Sequence, residues 1–206
     1  MRLMIILLAA GLMITAQTGA QTDPAAATTV ETIVCIRHGE KPSGGLGQLT
    51  CKGLNRSLAL PRVLLGKYGA PNYIFAPNPA QTVDGGARYY YVRPLATIEP
   101  TAIRCGLPVN TQFGYKEIAG LEDELDKEQY RRATVFVAWK HGLLDDFVKQ
   151  MVQKYGAAPK QVPDWPGKDY DSIFLLKITR GQEHPSIAFT IDHEGLDNLS
   201  PSCPSQ

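Results

Sequence analysis

The chain has 206 residues, of which 44% are hydrophobic and 20% are charged, and its formal net charge is +1. This is the composition of a globular protein, and the length favours one domain that can bury a core. A net charge close to zero gives no support to nucleic acid or to an anionic membrane surface as the main partner.

The N-terminus has the layout of a secretory signal peptide. Arg2 provides a basic start, and residues 3–14 are almost all apolar. Residues 18–20 are small, as the cleavage site of a signal peptide requires. The apolar stretch is shorter than the about 20 residues that a membrane span requires, although an uncleaved anchor is the alternative. We therefore predict a secreted or periplasmic protein without stable membrane insertion after cleavage. Its residues 1–20 form a signal peptide, residues 21–29 a flexible lead-in and residues 30–206 a single domain.

The four cysteines are Cys35, Cys51, Cys105 and Cys203. Export would place them where disulfides persist, and four thiols allow three pairings among which the sequence does not choose. Cys35 lies in an apolar strand, where a buried free thiol is expected, so a pair among the other three is favoured. Their spacing is neither that of a zinc site nor that of a Cys-x-x-Cys redox pair, and we predict no metal and no cofactor.

The first half of the chain starts with a predicted strand at residues 30–36, which is apolar on both faces and therefore suits the centre of a covered sheet. A loop over residues 41–48 leads to a helix that Thr50 is expected to cap and that should bend or break before Pro61. A short strand follows at residues 73–76.

The second half alternates helices and strands. Helices are predicted at residues 95–104, interrupted at Pro100, and at 121–132 and 143–155; strands are predicted at 134–139, 172–178 and 187–191. We expect the last two strands to form an antiparallel pair. The alternation predicts a three-layer α/β/α sandwich with a mostly parallel central sheet.

Basic and nucleophilic side chains follow two of these strands. Arg37 and His38 come directly after the first strand, and His141 comes directly after the strand at 134–139. Because ligands bind at the carboxyl ends of the strands in open α/β sheets, both histidines are expected at one edge. A neutral imidazole is nucleophilic, and a guanidinium offers a fork of donors to phosphate oxygens, which indicates chemistry at phosphorus.

Four segments, in this order, resemble the histidine phosphatase superfamily and its phosphoglycerate mutase-like branch. They are Arg37-His38-Gly39-Glu40, Leu49-Thr50-Cys51-Lys52-Gly53, Arg93-Pro94-Leu95-Ala96-Thr97 and Lys140-His141-Gly142. The resemblance covers most of the chain after the signal peptide and implies a phosphoglycerate mutase-like fold. It also implies that His38 attacks the phosphoryl group and becomes a phosphohistidine, while Arg37, Arg93 and His141 bind the phosphoryl oxygens.

The resemblance also suggests a proton donor. In the mutase-like branch this acid is a glutamate between the second arginine and the second histidine, and Glu117, ahead of Gly120, is similar to that pattern. A solvated loop carboxylate is the alternative. The aspartate that follows the second histidine in acid phosphatases is absent, because Gly142 stands there. Trp139 and Lys140 replace the small residues that usually precede this histidine, which leaves the substrate open.

The sequence therefore predicts an exported, cofactor-independent phosphatase that hydrolyses small phosphomonoesters. The alternatives are a non-catalytic protein that binds phosphate or a sugar phosphate, and a phosphoryl-transferring mutase, which export disfavours. Glu40 is expected to stabilise a loop or a basic neighbour, and Asp192-His193-Glu194 to be surface residues. Tyr89-Tyr90-Tyr91 should pack its rings on the fold, with an aromatic substrate rim as the alternative. The oligomeric state is not predicted.

Overall fold

A computed structural model of the protein describes residues 27–83, 88–181 and 183–204. The predicted signal peptide and most of the predicted lead-in lie outside the described residues. Within the described ranges, no helix is both long and apolar enough to span a bilayer.

The described residues form a central sheet with helices on both faces. The strands are β1 (Thr29–Arg37), β2 (Tyr73–Phe75), β3 (Thr82–Val83), β4 (Tyr89–Tyr90), β5 (Val109–Asn110), β6 (Thr134–Trp139), β7 (Ser172–Arg180) and β8 (Ser186–His193). The helices are α1 (Cys51–Tyr68), α2 (Arg93–Cys105), α3 (Ile118–Leu125) and α4 (His141–Lys154), with single 3₁₀ turns at Glu128–Tyr130 and Pro159–Gln161.

Six strands make one sheet in the order β5-β2-β6-β1-β7-β8, while β3 and β4 form a separate hairpin. β5, β2, β6 and β1 are parallel to one another. β7 is antiparallel to β1, and β8 is antiparallel to β7, so β7 alone opposes the direction of the other five strands. The predicted α/β layers and the mostly parallel sheet are confirmed, as is the antiparallel pair at the end.

The sheet buries apolar side chains on both faces because successive residues of a strand point to opposite sides. Ile33 and Cys35 of β1 pack towards α3 and α4, whereas Val34 and Ile36 pack towards α1 and α2. The continuous apolar composition of the predicted first strand follows from this burial on both faces.

The helices that contain Pro61 and Pro100 are not interrupted, so the predicted interruption at Pro100 is wrong and α1 does not break before Pro61. A proline removes one helical hydrogen bond, but α1 and α2 pack against each other and against the sheet, so that burial compensates for the loss. Ser57 reinforces the contact, since its hydroxyl lies 2.5 Å from the carbonyl oxygen of Ala96 and 3.1 Å from that of Thr97.

The helix predicted at residues 121–132 is also displaced. α3 begins earlier, at Ile118, and ends at Leu125, because the chain then has to turn into β6. Tyr130 fixes that turn: its ring is buried against Tyr73, with 4.7 Å between the ring centroids, and its hydroxyl donates to Glu124. The two-residue strands β3 and β5 have no counterpart in the prediction, because two residues are too short to show a period.

Cys51 and Cys203 form a disulfide that joins the first turn of α1 to the C-terminal segment. Cys35 is a buried free thiol and Cys105 a partly buried one. Both the expected free Cys35 and the expected pair among the other three cysteines are therefore confirmed.

Candidate active site

The parallel pairing of β1 with β6 places the two predicted histidines at one edge of the sheet. Arg37 is the last residue of β1 and is in register with Trp139, the last residue of β6. The backbone N–H of His38 donates to the carbonyl oxygen of Trp139 at 3.0 Å. α4 begins at His141, so its side chain emerges beside the end of β1.

A cavity of about 250 Å³ lies at this edge, and the lining residues include the predicted residues Arg37, His38, Arg93 and His141. Lys41 and Lys140 also line it, whereas no carboxylate among the described residues does. The described lining is therefore strongly cationic, as a binding site for a phosphoryl group requires.

The side chain of His38 is held in a single orientation. Its Nδ1 lies 2.8 Å from the carbonyl oxygen of Gly39, and because a carbonyl only accepts, Nδ1 carries the proton. The lone pair is then on Nε2, to which Nε of Arg93 donates at 3.2 Å. Burial, together with the charges of Arg93 and Arg37, holds the pKa of His38 well below its usual value. His38 is thus a neutral imidazole with its basic nitrogen in the cavity.

The guanidinium of Arg37 is oriented by hydrogen bonds to the loop that contains residues 167–170, which is distant in the sequence. Its Nη1 donates to the carbonyl oxygens of Gly167 and Asp169 at 2.9 and 2.8 Å. Its Cζ lies 3.8 Å from the centroid of the Tyr170 ring, a cation–π contact. Nε of Arg37 is buried and has no hydrogen-bond partner among the described residues.

Arg93 occupies the first position of α2, and Thr97 lies one turn later. The hydroxyl of Thr97 donates to the carbonyl oxygen of Arg93 at 2.7 Å and accepts from the backbone N–H of Gly39 at 2.9 Å. Thr97 therefore connects the segment that carries His38 to the start of α2, which explains why an arginine with a threonine four residues later forms part of the motif.

Two glycines of the motifs allow the loop after β1 to lie directly on the first turn of α1. A Cβ atom on Gly53 would lie 2.5 Å from the carbonyl oxygen of Glu40, and one on Gly39 would lie 3.0 Å from that of Gly53. The predicted cap at Thr50 is confirmed: its hydroxyl accepts from the N–H of Gly53 at 3.1 Å, and its own N–H donates to Glu40 at 2.8 Å. This close contact needs glycine at both positions.

His141 lies on the other side of the cavity and is half-buried. Burial, and after it the charges of Arg37 and Lys140, lower the pKa of His141 to about 4. Its Nδ1 is buried and has no hydrogen-bond partner within the described ranges. His141 is therefore neutral near pH 7 and can offer one N–H donor to an oxyanion.

The carboxylate of Glu117 is not among the groups that line the cavity. It is exposed and accepts from the backbone N–H of Gly114 at 2.8 Å and from the amide of Gln81 at 3.4 Å. Two residues close to it in sequence do line the cavity: Tyr115, two residues before Glu117, and Val83, two residues after Gln81. Glu117 thus lies just outside its rim.

Trp139 and Lys140, the two large residues that precede His141, lie in different environments. Trp139 is fully buried in the core, and its indole N–H donates to the carbonyl oxygen of Tyr115 at 2.8 Å, so it supports the cavity wall from behind. Lys140 lies at the cavity mouth.

The three consecutive tyrosines differ in their surroundings. Tyr91 is buried and lines the cavity, and its ring centroid lies 4.6 Å from Cζ of Arg93. The side chain of Tyr90 is 65% exposed.

Several residues of the site have no signal in the sequence. Tyr170 and the carbonyl groups of Gly167 and Asp169 belong to an irregular loop, and backbone acceptors carry no residue signature. Lys41 follows the Arg-His-Gly-Glu run directly, and this adjacency could have identified it as a cavity residue.

The buried, cationic surroundings predict that neither histidine of the cavity protonates at its usual pH. We expect the His141 ring to titrate with a midpoint near pH 4 and the His38 ring to titrate well below 6.5. NMR titration of the ring carbons, with His38→Asn and His141→Asn variants for assignment, measures both midpoints. A midpoint of about 6.5 or more for either ring, the ordinary value, would contradict this environment.

No protein-family model matches this sequence, and no curated protein matches it. Solved structures do match. One is assigned as the phosphohistidine phosphatase SixA of Nakamurella multipartitia, with 17% identity, 82% of this chain and 98% of that chain covered, and a TM-score of 0.54. Another is the protein histidine phosphatase SixA in complex with tungstate, with 14% identity, 79% and 97% covered, and a TM-score of 0.53.

Phosphoglycerate mutase from Plasmodium falciparum also matches, with 11% identity, 86% of this chain and 99% of that chain covered, and a TM-score of 0.51. Identities this low establish the fold alone. The chain therefore has the phosphoglycerate mutase-like fold of the histidine phosphatases, as the four sequence segments predict.

Proposed function

We propose that this protein is a phosphatase that hydrolyses small phosphomonoesters through a phosphohistidine on His38. The observation that carries the proposal is the orientation of the His38 ring. Its Nδ1–H is bound to Gly39, which leaves the Nε2 lone pair among the cationic groups of the cavity. A neutral, fixed imidazole beside two buried arginines has the geometry of a nucleophile that attacks phosphorus.

The reaction has two steps. Nε2 of His38 bonds to phosphorus while the bond from phosphorus to the ester oxygen breaks, and the leaving oxygen takes a proton. Water then attacks the phosphorus of the phosphohistidine, the P–N bond breaks, and its electron pair returns to Nε2. Inorganic phosphate leaves, the proton that water loses returns to the acid of the first step, and the protein is restored.

Arg37, Arg93 and His141 bind the phosphoryl oxygens in this proposal. The side chains of Arg37 and Arg93 line the cavity, and neutral His141 provides one N–H. Such donors are most effective when they are already oriented, because no reorganisation is needed as charge develops. Loss of one of them should lower kcat by about 10² to 10³-fold.

Among the described residues, no carboxylate that could serve as the proton donor lines the cavity. Glu117 at the rim is our candidate, and it would have to release the N–H of Gly114 to reach a leaving group. This position of Glu117 also favours a second candidate function, phosphate binding without turnover, in which the cationic cavity holds an oxyanion that is never transferred.

The two functions are separated by an assay of residues 21–206 with a ³²P-labelled aryl phosphate in EDTA. We expect turnover, and a labelled enzyme after quenching in alkaline detergent, where phosphohistidine survives. His38→Ala should show neither, because it lacks the attacking nitrogen, whereas the control His184→Ala, at an exposed position, should show both.

If the wild-type protein shows no turnover and no label between pH about 4 and 8, the range in which histidine titrates, the phosphatase proposal fails. Binding of tungstate under the same conditions would then support the non-catalytic candidate. Turnover by His38→Ala would instead refute the assignment of the nucleophile.

A Glu117→Gln variant tests the proton donor. An alkyl alcohol is a poor leaving group that needs protonation, whereas a nitrophenolate does not. We therefore expect kcat/KM for alkyl phosphates, which reports the step that breaks the P–O bond, to fall by about 10²-fold while kcat/KM for the aryl phosphate changes little. Parallel measurements with glycerol phosphate and nitrophenyl phosphate provide the comparison. Equal effects on both substrates would show that Glu117 is not the proton donor and only accepts the hydrogen bond from the N–H of Gly114.

We also propose that the protein is exported after cleavage of residues 1–20. The support is the signal-peptide pattern of the sequence, together with the Cys51–Cys203 disulfide, a bond typical of oxidising compartments. Expression of the full chain in a Gram-negative host should give a periplasmic protein whose mass corresponds to a start at Gln21. A Leu7→Arg/Leu8→Arg control should remain in the cytoplasm. An uncleaved chain in the membrane fraction would favour the anchor instead.

A further inference from the structure

Arg56 is a fully buried arginine in α1 at the centre of a cluster of carboxylates. Its Nε and Nη2 donate to the two oxygens of Glu40 at 3.0 and 2.9 Å. Its Nη1 donates to Glu194 at 2.5 Å, and Nη2 also donates to Asp197 at 2.9 Å. The prediction that Glu194 is a surface residue is wrong: it is 4% exposed, because it pairs with Arg56.

The first connection from Arg56 to the cavity runs through Glu40. Glu40 directly follows Gly39, the residue whose carbonyl oxygen holds Nδ1 of His38. Both oxygens of the Glu40 side chain are bound to Arg56, and its carbonyl oxygen accepts from the N–H of Thr50. The backbone on which the His38 ring depends is therefore fixed to α1 from two sides.

The second connection runs through Asp171, at the end of the loop that aims Arg37. The carbonyl oxygen of Asp171 accepts from the N–H of Glu194 at 2.7 Å. Its Oδ1 accepts from the N–H of Leu196 at 2.9 Å and lies 4.0 Å from Nη1 of Arg56. The segment that carries Glu194 is thus bound both to Arg56 and to the loop whose carbonyl groups orient Arg37.

We propose that Arg56 is a positioning residue for the phosphoryl transfer proposed above, on which this inference rests. One guanidinium fixes the end of β1 at Arg37 and the following residue, His38, relative to the loop that orients the Arg37 side chain. A planar fork with five N–H donors can bind Glu40 and Glu194 at once, whereas the single ammonium group of lysine cannot bind both in this geometry.

A purely structural role for Arg56 is the competing explanation, and the chain offers a matched control. Arg180 also pairs with a fully buried glutamate: its Nη1 donates to Glu31 at 2.7 Å. Arg180 is in register with Thr29, at the opposite end of β1 from Arg37. Replacement of Arg180 should therefore weaken a comparable buried ion pair without moving the cavity.

The experiment compares Arg56→Lys with Arg180→Lys by melting temperature, kcat and KM for an aryl phosphate, and the Kd of tungstate. We expect both variants to melt at lower temperature. Arg56→Lys should lower kcat at least about tenfold and weaken tungstate binding at least about tenfold, whereas Arg180→Lys should leave both within about twofold of the wild type. Equal losses in the two variants, or wild-type kcat and Kd in Arg56→Lys, would overturn the proposal.

Glu40→Gln keeps the inference testable if Arg56→Lys does not fold. The amide retains an acceptor for Arg56 but loses the two-oxygen pairing, so kcat should fall and the Kd of tungstate should rise by at least about threefold. Wild-type values in this variant would overturn the proposal. If the wild-type protein itself shows no turnover, the proposed function fails, and the tungstate Kd alone still tests whether Arg56 positions the oxyanion site.

Discussion

The parallel pairing of β1 with β6 is the contact on which the candidate site depends. It places the segment that follows Arg37 beside the segment that precedes His141, although the two lie far apart in the sequence. Since the side chains of a strand alternate between two faces, a slip of one residue would turn Arg37 to the wrong side of the sheet. The apolar residues that β1 and β6 bury on both faces oppose such a slip. Core packing and site geometry are therefore set by the same register.

Buried positive charge creates a cost that the surrounding structure has to offset. Arg37 and Arg93 are nearly inaccessible and lie close to two histidines. The carbonyl groups of residues 167 and 169 and the faces of two tyrosine rings partly replace the lost hydration of the arginines. Both histidines respond by a lower pKa and stay neutral. Behind the cavity the excess charge is negative, because several carboxylates surround the single guanidinium of Arg56. Burial, and after it the charges of Asp171 and Glu40, raise the pKa of Glu194.

Local patterns predicted the parts of this arrangement that depend on neighbouring residues. The β-branched run before Arg37, the cap at Thr50 and the spacing of Arg93 and Thr97 each have a short-range physical cause, and each is present in the structure. Predictions from the sequence were wrong, or could not be made, where contacts between distant segments determine the local structure. Pro61 stays helical because α2 supports it, and Glu194 is buried because Arg56 lies opposite. The orientation of Arg37 depends on backbone carbonyl groups, which no residue pattern reveals.

The contact between Arg93 and His38 bears on the proposed reaction. Nε of Arg93 donates to the nitrogen lone pair that would attack phosphorus. That lone pair cannot bond to phosphorus and accept this N–H at the same time. A bound phosphoryl group offers a negatively charged oxygen, which is a stronger acceptor for a guanidinium than a neutral imidazole is. Arrival of the substrate would therefore draw the N–H of Arg93 to the phosphoryl group and release Nε2 of His38, so that the nucleophile becomes available only when its target is in place.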